Sequence, residues 1–238
     1  MSEQINNLKK WIKGKRVLFV LTSAFSLNMF HIGKEKIDPD YKLNYGELLR
    51  FLKSDCEAEF VKGIYFSSYR ATSGSQPAAP ELKLLEWIEK GAGYEVHRSP
   101  PRVAIRGGEL RSMLPSFSVG IAYRTAELIN DFDVFIILDV VPPTGEINKW
   151  LSDRGKVVIG GELSYRPKVV DIAAKGNAHV IIDFSDTELL ERVRRTFKPF
   201  QSKSSEEIDE VELDNDDEED DSNTGLKALL NRTGKTAA

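Results

Sequence analysis

The sequence has 238 residues with 41% hydrophobic and 29% charged residues, which suits one globular domain with extensions or at most two small domains. No apolar run approaches the roughly 20 residues that span a bilayer, and no secretory apolar region follows the basic start of the chain. The single cysteine, Cys56, excludes an intramolecular disulfide framework. We therefore expect a cytoplasmic protein with no membrane partner.

The net charge of −4 conceals an uneven distribution of charge along the chain. Residues 206–221 hold 12 of the 37 acidic residues and no basic one, whereas residues 1–205 carry 30 basic and 25 acidic residues. Residues 199–238 begin with a long polar and acidic stretch, which predicts a disordered tail, and a few leucines near the end favour a short helix there. Such a tail solubilises the chain, competes with nucleic acid for the basic body, or recruits a protein partner.

Helices, strands and loops alternate along the first half of the chain, as the hydrophobic periodicity indicates. In chain order the predicted elements are a helix at 2–13, a strand at 16–21, a long loop at 22–41, a helix at 44–53, a strand at 58–66, a loop at 70–80, a helix at 81–90 and extended segments at 94–97 and 103–106. The loop prediction rests on the turn residues Asp38-Pro39-Asp40. Residues 1–14 are interpreted as a helical extension that precedes the main domain.

The second half continues the alternation up to residue 197. Its predicted elements are a helix at 118–130, a strand at 134–138, a helix at 143–154, a strand at 156–159, a helix at 164–174, a strand at 179–182 and a helix at 186–197. Alternating strands and helices favour a parallel sheet, and a continuous apolar strand such as VFIIL fits burial on both faces. Residues 15–198 are therefore predicted to form a three-layer α/β/α sandwich with a mostly parallel central sheet.

Three segments of this domain follow the order of a known set of motifs. They are VLFVLTSAF from Val17, SFSVGIAYRTAELI from Ser116, and VFIILDVVPPTGEINKWLSDRGKVVIGG from Val134. The third segment includes Gly155-Lys156 followed by two valines. In this order, over residues 15–185, the chain resembles the NYN domain family, a branch of the PIN-like nucleases, and the resemblance implies a PIN-like fold.

The resemblance also implies a metal site that this chain has lost. PIN-like nucleases are expected to bind divalent metal with converging carboxylates, because hard cations need charged oxygen ligands. At the family's acidic positions this sequence has Leu21, Ser118, Arg124, Val141 and Pro143. Apolar side chains cannot bind metal, and an arginine repels metal but attracts phosphate. The resemblance therefore implies a pseudo-nuclease with no catalytic residue and no cofactor.

Arginines and exposed aromatic residues supply the predicted contacts to nucleic acid. Arginine is suited to bidentate phosphate contacts, and aromatic rings stack on unpaired bases. The candidate nucleic-acid-binding residues are Tyr69, Arg70, Arg98, Arg102, Arg106, Arg111 and Arg124. The first hypothesis is therefore a non-catalytic protein that binds RNA or another single-stranded nucleic acid.

Two alternatives remain open at this stage. One is a ribonuclease dependent on Mg²⁺ or Mn²⁺, in which relocated carboxylates hold the metal. Its candidate ligands are Asp139 with Glu146 or Glu162, and Asp38 or Asp40. The other is a protein-interaction scaffold that recruits partners through the acidic tail. The sequence also leaves open whether the chain forms a homo-oligomer.

Overall fold

The computed structural model describes residues 1–68, 71–72, 76–77, 79–99, 102–106, 109–113, 117–139, 144–164 and 178–194. Side chains are described for residues 1–67, 80–99, 117–139, 146–164 and 178–194. Residues Met1–Thr196 form one compact unit. The predicted helix at 164–174, the acidic tail, Tyr69 and Arg70 lie outside the described residues, apart from Ser164.

Six parallel strands form the central sheet, in the spatial order β10-β9-β8-β1-β2-β5. In chain order the strands are β1 (Arg16–Thr22), β2 (Phe60–Ser68), β3 (Ala71–Thr72), β4 (Gln76–Pro77), β5 (Glu95–Ser99), β6 (Arg102–Arg106), β7 (Glu109–Met113), β8 (Val134–Leu138), β9 (Val157–Glu162) and β10 (Val180–Asp183). The short pairs β3–β4 and β6–β7 are antiparallel and separate from the central sheet. The strands predicted at 16–21 and 134–138 are β1 and β8, which are parallel neighbours in this sheet.

Helices cover the sheet. They are α1 (Glu3–Ile12), α2 (Ser23–Lys36), α3 (Tyr45–Arg50), α4 (Ala79–Glu86), α5 (Ser118–Glu127), α6 (Thr144–Ser152) and α7 (Thr187–Arg192). The π-helical turns Phe51–Asp55 and Trp87–Gly91 continue α3 and α4. The predicted α/β class with flanking helices is confirmed. Among the helices of the described residues, none combines the length and apolar character needed to cross a bilayer.

Strand β1 separates two hydrophobic cores. Successive side chains of a strand point to opposite faces of the sheet. Val17, Phe19 and Leu21 therefore enter the first core, which also contains residues of α1, α2, α3 and α7. Leu18 and Val20 enter the second core, which contains residues of α5 and α6. All five side chains are at most 1% exposed, so β1 is buried on both faces.

Helix α1 packs into the first core. Ile5, Leu8 and Ile12 are fully buried, at the helical spacing that the sequence shows. The backbone amide of Asp183 also donates a 3.1 Å hydrogen bond to Oε1 of Gln4, which joins the start of α1 to the end of β10. Residues 1–14 thus belong to the same compact unit as the sheet.

The predicted loop between β1 and Tyr41 is wrong over most of its length, because this segment forms α2. The hydroxyl of Thr22 accepts a 3.4 Å hydrogen bond from the amide of Phe25 and caps the helix. Phe25, Met29 and Ile32 are fully buried at helical spacing. The turn that begins at Asp38 lies after the end of this helix and does not include the residues before it.

An ion pair joins the first residue of β1 to the residue before β8. The guanidinium of Arg16 donates from Nε to Oδ2 of Asp133 at 3.1 Å and from Nη2 to Oδ1 at 2.9 Å. The amide of Arg16 also donates to Oδ2 at 3.1 Å. The hydrogen bonds from Arg16 lower the pKa of Asp133 to about 2. The two central strands are therefore fixed in register at their amino ends as well as along their backbones.

Cys56 follows the π-helical turn after α3 and is fully buried in the first core. Burial raises the pKa of its thiol to about 12. Because the thiolate is the reactive form, we expect the native protein to react with a disulfide reagent at least about 100-fold more slowly than the unfolded chain. Labelling kinetics with and without denaturing urea measure this ratio. Equal rates in both conditions would contradict the buried position of the thiol.

Candidate functional site

The carboxyl ends of the parallel strands meet at one edge of the sheet, here named the carboxyl edge. From β1 the chain proceeds to β2 and β5 on one side, and from β8 it proceeds to β9 and β10 on the other. The strand order therefore changes direction between β1 and β8. Open α/β sheets generally bind ligands in the crevice outside such a switch point, at the carboxyl ends of the strands. This edge is the first place to search for a site.

Thr22 and Asp139 meet at the switch point. The hydroxyl of Thr22 lies 3.1 Å from Oδ1 of Asp139 and 3.2 Å from the carbonyl oxygen of Leu138. Asp139 is 6% exposed and Thr22 is fully buried. Thr22 is also the cap of α2, whose amino end carries partial positive charge that favours a nearby carboxylate. In this arrangement Asp139 stabilises the connection between β1 and α2 through its contact with Thr22.

The other carboxylates considered for a relocated metal site lie in different surroundings. Asp38 pairs with Arg194 after α7 and accepts a 2.8 Å hydrogen bond from the amide of Asp40, and this amide and then Arg194 lower the pKa of Asp38. Glu146 is exposed in the first turn of α6. In the part of the chain that the structure describes, no group of three or more His, Cys, Asp or Glu side chains is arranged to hold a metal ion.

Arg124, a predicted phosphate ligand, is engaged by two carboxylates. Its Nε and Nη2 donate to Oε1 and Oε2 of Glu95 at 2.5 and 2.7 Å, and its Nη1 donates to Oε2 of Glu127 at 2.7 Å. The hydrogen bonds from Arg124, followed by those from His97 and Lys62, lower the pKa of Glu95 to about 2. Glu95 in turn raises the pKa of Arg124. This bidentate ion pair connects α5 to the edge strand β5.

Arg98 and Arg124 lie on opposite faces of β5 and do not form one surface. Val96 packs against the first core, and alternation places Arg98 on the same face, where its Nη2 lies 3.2 Å from Oε2 of Glu89. Arg124 reaches the strand from the other face. His97 belongs to that face too, because its ring stacks on a residue of the second core.

The other predicted arginines belong to an antiparallel hairpin formed by β6 and β7. The sequence predicted an extended segment at 103–106, but β7 was missed, although Gly107-Gly108 between two alternating segments is a typical hairpin signal. The register pairs Ala104 with Arg111. Because residues alternate between the two faces of a strand, Arg102, Arg106 and Arg111 occupy positions on one face of the hairpin, which Glu109, the partner of Arg106 in the register, shares. We name these three positions the arginine face.

The hairpin is inserted in the chain at the carboxyl edge. Strand β5 ends at this edge with Ser99, and the hairpin begins three residues later at Arg102. After the hairpin, α5 begins at Ser118 and leads to β8, which starts at the opposite edge with Val134. In the chain, the hairpin with the arginine face therefore follows a strand that ends at the edge where sheets of this type bind ligands.

We expect Thr22→Val to lower the free energy of unfolding by about 1–3 kcal/mol. The substitution keeps the shape but removes both the cap of α2 and the hydroxyl beside the buried carboxylate of Asp139. Urea unfolding monitored by circular dichroism measures the change. Thr22→Ser keeps the hydroxyl and is the control, with an expected loss of about 1 kcal/mol or less. A valine variant as stable as the serine variant would contradict a role for the hydroxyl.

Glu95→Gln should lower stability at neutral pH by about 2 kcal/mol, because Arg124, His97 and Lys62 lose their shared charged partner. The pKa of Glu95 is lowered from 4.5 to about 2, so its contribution is present above pH 4.5 and is lost as the pH falls toward 2. Unfolding experiments from pH 2 to 7 should show the two proteins converging at acid pH.

The control for this experiment is Glu89→Gln, which removes the partner of Arg98 at an exposed position. Exposed ion pairs contribute about 0–1 kcal/mol, so this variant should follow the wild-type curve closely. A constant difference between Glu95→Gln and the wild type across the whole pH range would contradict the ionised state of Glu95 as the cause.

Comparisons with known proteins leave the family of this chain unassigned. No protein family model matches the sequence, and no curated protein matches it. Among solved structures, the chain resembles the crystal structure of a protein of unknown function from Vibrio parahaemolyticus, with 14% sequence identity and a TM-score of 0.47. The match covers 76% of this chain and 98% of that one. At this similarity the match has no bearing on function.

Proposed function

We propose that this protein binds single-stranded RNA at the carboxyl edge of its sheet and does not cleave it. The observation that carries the proposal is the register of the β6–β7 hairpin, which assigns Arg102, Arg106 and Arg111 to one face. Arg102 and Arg106 are four residues apart in one strand, a distance of about 13 Å. Arg111 is paired with the residue midway between them. Arginines at three positions of this spacing suit contacts to the phosphates of one nucleic-acid strand.

The resemblance to the NYN domain family supports RNA as the ligand and argues against cleavage. The first and third segments of the resemblance begin with β1 and β8, and these two strands are adjacent. Leu21, at the family's first acidic position, is fully buried in the first core. Arg124, at another acidic position, is paired with Glu95 and Glu127. Neither residue is a ligand for a divalent metal.

Replacing all three arginines of the arginine face with glutamine should weaken binding of labelled single-stranded RNA by about 10- to 1000-fold near physiological salt. Each phosphate contact on a single strand contributes about −0.7 to the slope of log K against log salt concentration, so the slope should become shallower by about 2. Fluorescence anisotropy at several salt concentrations measures both quantities.

The control is the double variant Arg98→Gln/Arg154→Gln, which removes arginines engaged elsewhere. Arg98 pairs with Glu89, and Arg154 lies over the ring of Trp150 at 4.1 Å. The salt slope of this double variant should equal that of the wild type. A triple variant that binds like the wild type would contradict the arginine face as the phosphate site. RNA cleaved in the presence of Mn²⁺ would contradict the non-catalytic role and direct mutagenesis to Asp139.

A further inference from the structure

A pair of stacked rings lies on the second-core face of the sheet, near the carboxyl edge. The rings of Phe66 and His97 are 4.9 Å apart between centroids and 16° from parallel. The two residues are direct partners in the register of β2 and β5. Phe66 is 2% exposed, whereas the side chain of His97 is 37% exposed. The stack is therefore buried at its Phe66 end and partly exposed at its His97 end.

The orientation of both rings is fixed by their neighbours. The ring of Phe117 packs against Phe66 at 5.7 Å, and Gly120 of α5 approaches so closely that a Cβ atom there would lie 3.0 Å from Cε1 of Phe66. On the outer ring, Nε2 of His97 lies 2.7 Å from Oε1 of Glu95. Because Glu95 is itself held by Arg124, the imidazole is fixed by the ring of Phe66 on one face and by Glu95 at its edge. Binding a ligand on this ring costs little conformational entropy.

We infer that His97 is the platform on which an unpaired base of the bound RNA stacks, an inference that rests on the proposed function. Every base has a flat π-face, and stacking on an aromatic ring is a common way of binding single strands. His97 lies two residues before the end of β5 and five residues before Arg102. The base platform on β5 and the arginine face on the next two strands are therefore close together in the chain. Stacking adds affinity that does not depend on salt.

The test uses a fluorescent single-stranded RNA that carries 2-aminopurine, a base whose emission is quenched when it stacks. His97→Ala should bind about 5- to 100-fold more weakly than the wild type and lose the quenching, with an unchanged salt slope. His97→Phe keeps a flat ring at the same position and should restore both affinity and quenching. Thermal unfolding of each variant shows whether a loss of RNA affinity comes from lost stacking or from a loss of folded protein.

His31→Ala is the matched control, because His31 is also exposed and lies against a phenylalanine, Phe30, at 5.3 Å. Its helix, α2, contributes to the first core on the opposite face of the sheet, so binding should not change. In a second arm, the oligonucleotide lacks the base at the probe position. The wild type and His97→Ala should then bind it with equal affinity.

The outcomes separate the platform from the proposed function. If the wild type binds RNA in a salt-dependent manner and a folded His97→Ala variant retains both affinity and quenching, the platform is overturned and the arginine face stands. If the wild type binds no RNA at low salt, both inferences are overturned. A loss of affinity in His97→Ala that persists with the base-free oligonucleotide would show that His97 acts through the backbone of the RNA, which also overturns stacking.

Discussion

The double burial of β1 is the constraint on which the rest of the structure depends. A strand whose alternate side chains enter two separate cores requires helices on both faces of the sheet. Parallel strands need crossover connections, and the helices of such connections cover the faces of this sheet of six parallel strands. All carboxyl ends then meet at one edge, with β1 and its neighbour β8 at the centre. The packing at this centre is tight, since a Cβ atom at Gly161 would lie 2.1 Å from Cδ2 of Leu138.

Charge pairing decides which basic residues are available to a ligand. Besides the hairpin region the sequence has two basic clusters, at residues 9–16 and 192–198, and the structure engages members of both in ion pairs. Lys9 of α1 and Lys13, which follows the helix, share Glu57, and the hydrogen bonds from Lys13 and Lys9 lower the pKa of Glu57 to about 2. Arg192 of α7 lies 2.7 Å from Asp55. Exposed pairs such as these stabilise the fold by little, but they compete with phosphate for the same donors. A count of basic residues is therefore a poor guide to a nucleic-acid surface.

Most of the architecture could be predicted from the sequence, because hydrophobic periodicity is a local signal. VFIIL predicts a strand buried on both faces, and β8 is such a strand. Helix α2 was missed because the turn residues near its end were extended back over apolar residues at helical spacing. The pairing of Arg124 with Glu95, and of Arg16 with Asp133, could not have been predicted. These contacts depend on which strands are neighbours in the sheet, and local sequence patterns do not indicate the strand order.

The same limit applies to the proposed site, whose two parts depend on strand register. Phe66 and His97 are 31 residues apart and meet only because β2 and β5 are adjacent in that register. The three arginines share a face only because β7 pairs with β6 as it does. A shift of one residue in either pairing would place one member of each set on the opposite face. The buried sheet that fixes the first register therefore also fixes the position of the base platform. Phosphate contacts alone tolerate more freedom, because attraction between charges depends weakly on orientation compared with ring stacking.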